Sequence, residues 1–184
     1  MDIKDVYTKS AALLEEAKDD FLSARDTGEH HEFLSLKLMA SLIHNDVCRE
    51  FYNLTVNKTT GTSRLLALGP IVIKLFEAHL WYSQIGNKRL RELAKSRGML
   101  ELIENKLREM NRLNPGRIEK YADIRNKLIA HYPYNYETVR VVQEFGSISA
   151  DDFFEDITMM VRYALEWLQA LKAIGRFECS DRTV

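Results

Sequence analysis

Arg125, Asn126 and His131 lie close together in the stretch "IRNKLIAHYPYN", residues 124–135. A guanidinium, a carboxamide and an imidazole at this spacing suit chemistry at a phosphate. The arginine fork neutralises a developing phosphorane charge, and histidine gains and loses a proton near neutral pH. On a helix over 118–132, at about 100° per residue, Ile118, Tyr121, Ala122, Leu128, Ile129 and Tyr132 share one sector. Arg125 falls near the middle of that sector. Burying a lone guanidinium costs roughly several kcal/mol, so its charge must be answered. It can pair with a core acid such as Glu50. It can snorkel outward along its own stem. Or the sector faces a wet cleft between helices or subunits, where an anion meets it.

His131 poses a second choice. Pro133 disfavours α geometry at Tyr132, so the helix should end near His131. The negative end of the helix dipole favours the imidazolium there, which suits an acid or base handling a proton on ribose or phosphate. Capping the last carbonyls is the alternative role.

"RNKLIAHY", with Arg125–Asn126 followed by His131, resembles the arginine–polar…histidine signature of the HEPN superfamily, and its abortive-infection and toxin branch in particular. The resemblance implies a single HEPN-like helical domain over 1–184, with homodimers meeting through the signature helix. It implies a metal-independent endoribonuclease with no cofactor, acting as a toxin or phage-defence effector and held by an antitoxin or inhibitor protein. Arg125 would then bind the scissile phosphate, His131 would move protons during attack by the ribose 2′-hydroxyl, and Asn126 would position one of them. Tyr132, Tyr134 and Lys127 are the neighbours expected to contact RNA, the tyrosines by stacking on bases. Some toxins of this family carry a modifiable tyrosine two positions after the histidine; Pro133 stands there in this chain. The alternative within the same fold is a catalytically silent module that binds a nucleotide or a protein through the same groove.

Composition is consistent with an ordinary globular chain. The 184 residues are 46% hydrophobic and 29% charged, with formal net charge −1. Residues 88–140 hold 13 Lys/Arg against 7 Asp/Glu, so the positive share gathers around the motif. "KRLRELAKSR" could track phosphates, although the near-neutral whole argues against tight non-specific binding of nucleic acid. Cys48 and Cys179 are far apart and have no metal-ligand spacing, which points to a reducing, cytoplasmic setting without a zinc site. "MDIKDVYTKS" lacks the basic-then-apolar pattern of a secretory signal. "LLALGPIVIKLFEAHLWY" is too interrupted by Gly69, Pro70, Lys74, Glu77 and His79 for a membrane span. His44 and His79 read as core histidines, and His30–His31 have no metal-ligand partners. Neither a Gly-rich phosphate loop nor a GxSxG elbow occurs.

The elements that must carry these residues read as helices, giving an up-and-down all-α bundle of five to six. Apolar spacing predicts helices over 4–26 and 30–56, the second apolar on two sides and hence central. A third, containing Pro70, runs towards Gly86, followed by a short amphipathic piece ending at Gly98 and another over 100–112. "NPG" at 114–116 is the clearest break, and the motif helix follows over 117–132. "TVRVVQEF" has strand character but no second strand to pair with. Ser149, ahead of Asp151 and Asp152, starts the last helix.

Overall fold

A computed structural model describes residues 2–24, 31–57, 61–126 and 149–180, with positions 143 and 146. Every regular element among them is helical, and they form an all-α bundle. Helix α1 spans Ile3–Ala24, capped by Asp2, whose Oδ1 accepts from the Lys4 N–H at 2.9 Å. Helix α2 is His31–Val56, and α3 is Gly61–Leu80. A π-helical stretch, Trp81–Gly86, leads directly into α4, Asn87–Ser96. Helix α5 is Leu100–Asn111. A 3-10 segment, Pro115–Tyr121, and a single α turn, Ala122–Ile124, carry the chain to Arg125. Helix α6, Ala150–Ser180, closes the bundle. Ser149 caps it, with Oγ accepting from the Asp152 N–H at 3.0 Å. No helix among the described residues is long and apolar enough to cross a membrane.

The expected centrality of the second helix holds, for a different reason. Helix α2 packs against α1, α3, α4 and α6. Leu36, Ala40, Val47 and Phe51 supply one buried sector. The second is built from Ser41, His44, Asn45 and Cys48, not from the leucine stripe. Leu34 and Leu38 are half-buried and Leu42 is exposed. Small and polar side chains let α1 approach closely, and they need partners when buried: Ser10 Oγ donates to Asn45 Oδ1 at 3.1 Å.

Two boundaries differ from expectation. Gly86 does not stop the third helix; its φ of −57° and ψ of −51° are helical, and the chain continues into α4. Glycine is required there by contact, since a Cβ would lie 2.7 Å from the Trp81 ring. That ring packs edge-on against Trp167 of α6, while Asn87 donates to Tyr163 Oη and accepts from Trp167 Nε1 at 3.1 Å. Gly98 does end α4. At φ +68° it occupies the left-handed region, and Met99 N–H bonds back to Ala94 O at 2.8 Å in a Schellman arrangement.

The second difference concerns the motif helix. Its described part starts as a 3-10 helix, in which residues three apart eclipse. Ile118, Tyr121 and Ile124 therefore form the buried row, at 0%, 0% and 4% exposure. Arg125 follows one residue after that row, and so it is half-exposed instead of central to the buried sector. The backbone at Arg125 and Asn126 is π-helical. "TVRVVQEF" lies outside the described residues apart from Gln143.

Candidate active site

The turn holding Arg125 and Asn126 is anchored from below and from the side. Below it, Asp156 projects from the apolar face of α6 and is fully buried. Its Oδ2 accepts a 2.6 Å hydrogen bond from Tyr121 Oη and pairs with Lys120 Nζ at 2.6 Å. Arg117 Nε lies against Oδ1 as an ion pair that lacks hydrogen-bond geometry. One carboxylate thus ties three side chains of the 3-10 segment to α6. Burial, then the bond to Asp156, pushes the Tyr121 hydroxyl well above its usual range, so it stays a donor.

From the side, α3 grips the same segment at two points one helical turn apart. His79 is buried, with Nε2 3.5 Å from Glu119 Oε1. Phe76, also buried, presents its ring to Arg125, whose Cζ lies 5.9 Å from the ring centroid. That separation is at the outer edge of a cation–π contact, worth about 0.5–1 kcal/mol at an exposed site. The guanidinium is further oriented by Asn126, whose Oδ1 accepts from Arg125 Nη1 at 3.0 Å.

No carboxylate among the described residues pairs with Arg125. Glu50 does not reach it; that acid accepts from Arg49 Nε at 3.1 Å on its own helix. The guanidinium has a flat apolar wall on one side, one amide acceptor beside it, and remaining N–H donors without a carboxylate partner among the described residues. This arrangement can receive a phosphate oxygen pair bidentately. No family model, curated protein or solved structure matches the chain.

His131, Lys127, Tyr132 and Tyr134 lie outside the described residues, so of the expected site residues the structure brings together Arg125 and Asn126. Of the discounted histidines, His44 and His79 are buried core groups, whereas His31 is exposed. Burial lowers the His44 pKa to about 4, and its ring touches Cys48 Sγ at 3.8 Å. Burial likewise pushes the Cys48 thiol up to about 11, which leaves it inert as a nucleophile. His31 opens α2 with its ring 5.3 Å from Phe21. Among the described residues no three His, Cys, Asp or Glu side chains converge as metal ligands.

Sequence reasoning missed the Asp156 cluster. The available signal was a carboxylate three residues from Phe153 and four before Met160, inside an apolar stripe that otherwise admits no charge.

Proposed function

We propose that this chain is a metal-independent endoribonuclease of HEPN type, acting as a toxin or phage-defence effector. The observation that carries the reading is Arg125: half-exposed, oriented by Asn126 and Phe76, and paired with no acid among the described residues. A guanidinium kept purely for packing would be expected against a carboxylate, as Arg117 is against Asp156.

In this reading Arg125 binds the non-bridging oxygens of the scissile phosphate, and the Asn126 carboxamide holds the fork in place. The ribose 2′-hydroxyl attacks the adjacent phosphorus, forming a P–O2′ bond while the P–O5′ bond breaks. His131 handles the proton lost by the 2′-oxygen and the proton gained by the leaving 5′-oxygen. The products are a 2′,3′-cyclic phosphate and a 5′-hydroxyl. The substrate supplies the nucleophile and the protein supplies charge and proton transfer, so excess EDTA leaves the rate unchanged. A homodimer through the motif helix would place two such sets at one seam.

The test is incubation of the purified protein with single-stranded RNA in excess EDTA, beside His131→Ala. Cleavage by the wild type alone, leaving cyclic-phosphate ends, is the expected result. Equal cleavage by both proteins removes His131 from the mechanism. RNA or nucleotide binding without cleavage by either points to the silent module. Growth arrest on expression, relieved by the same substitution, gives an independent readout of the effector role.

A further inference from the structure

The cations of this chain are not alike in their company. On α1–α3 and α6 the described ones are held by acids: Lys9 by Asp5, Lys37 by Glu16 and Asp20, Lys74 by Asp46, Arg162 by Glu166. Lys4 is the exception there. On α4 and α5 the balance reverses. Lys88, Lys95, Arg108 and Arg112 are all exposed, and none has a carboxylate partner among the described residues.

Helical spacing puts these four on one face. Lys88, Arg91 and Lys95 are related as i, i+3 and i+7 on α4, so they share a side. Glu104 and Arg108 are i and i+4 on α5, with Arg112 another turn on. A 2.8 Å ion pair between Arg91 Nε and Glu104 Oε1 joins the two sides into one continuous surface. The exposed acids of the hairpin with no cation partner among the described residues are Glu101 and Glu109, against four such cations. Between the cations lie Arg91, Glu92, Glu104 and Asn105, with the exposed Leu102 one turn before Asn105 as the apolar side chain at the margin; a lone leucine is a poor protein-binding anchor. Charges spread over a mainly polar face match a phosphate backbone, which is recognised by charge and not by shape.

We propose that the solvent face of the α4–α5 hairpin is a docking surface for the phosphate backbone of single-stranded RNA, held by Lys88, Lys95, Arg108 and Arg112. The choice of RNA rests on the ribonuclease reading above. The net charge of −1 keeps this binding moderate and strongly salt-dependent, because the remaining surface repels the strand.

The experiment measures binding of a labelled 2′-O-methyl RNA, which lacks the attacking hydroxyl, by fluorescence anisotropy across a KCl series. Four phosphate contacts give a log–log salt slope of about −2.8 for a single strand. The variant Lys88→Gln, Lys95→Gln, Arg108→Gln, Arg112→Gln should bind at least about tenfold more weakly, with a slope near zero. Lys88→Arg with Lys95→Arg should retain wild-type binding, and circular dichroism checks that each variant is folded. Unchanged affinity and slope in the quadruple variant would overturn the surface. Polyglutamate competing as well as RNA, through the same four residues, would overturn the RNA assignment in favour of an acidic protein. Loss of cleavage with this binding intact contradicts the nuclease reading alone. Cleavage intact with binding indifferent to the four substitutions contradicts the surface alone.

Discussion

Tyr121 donates a 2.6 Å hydrogen bond to Asp156 across 35 residues of chain, four positions before Arg125. With Lys120 and Arg117 it makes Asp156 the post to which the motif segment is tied. Removing the carboxylate leaves the half-buried Arg117, the exposed Lys120 and the buried Tyr121 hydroxyl without their acceptor. Asp156→Ala and Tyr121→Phe should therefore each cost about 1–3 kcal/mol, both read from urea denaturation. A loss below about 0.5 kcal/mol for Asp156→Ala would mean that the cluster does not anchor the segment.

Gly86 offers a test in which two effects oppose. Helix propensity alone would make Gly86→Ala stabilising by about 1 kcal/mol. A methyl group there meets the Trp81 ring at 2.7 Å, and that ring is wedged against Trp167. Overpacking should win, giving a net loss of about 1–3 kcal/mol and a shift in tryptophan fluorescence. Gly116→Ala, whose Cβ meets nothing closer than 3.9 Å, serves as the tolerated control. A gain in stability for Gly86→Ala would contradict the packing described for the π-helical stretch.

Stability should also depend on His44. In the unfolded chain its imidazole titrates near 6.5, whereas burial holds the folded-state pKa at about 4. Between those values the unfolded state carries the extra proton, so unfolding free energy rises with pH from about 4 to about 6.5 and levels off above. The Lys37 ammonium lowers the Glu16 pKa, a contribution of the same sign below the ordinary carboxylate range. Urea denaturation of His44→Leu should lose the slope between about pH 5 and 6.5 and keep the lower one. An unchanged slope in that variant would assign the dependence to other groups.

The helical class, the central second helix, the Ser149 cap and the breaks at Gly98 and "NPG" were legible because each depends on local chemistry: apolar period, a capping hydroxyl, a left-handed glycine. Gly86 misled because its role is set by the Trp81 ring, not by its own backbone freedom. Arg125 was placed in the wrong phase because a 3-10 start repeats every three residues, so Ile124 takes the buried position. Its partner was equally illegible, since Phe76 is 49 residues away and Glu50 is satisfied by its neighbour Arg49. Asp156 carries no local signal as plain as a cap or a breaker, and the acids that mark the helix start are Asp151 and Asp152. Only the packed bundle shows it facing inward to Arg117, Lys120 and Tyr121.

The Arg125 guanidinium, which no carboxylate among the described residues holds, is the central claim, and single-turnover cleavage of a labelled RNA in excess EDTA addresses it directly. Arg125→Ala should lower the rate about 10²–10³-fold, as loss of a charge-stabilising donor does. Arg125→Lys should recover part of the loss, because it restores the charge but not the fork. Urea midpoints should stay close to wild type in both. Cleavage by Arg125→Ala at the wild-type rate would contradict the assignment of this residue to the scissile phosphate.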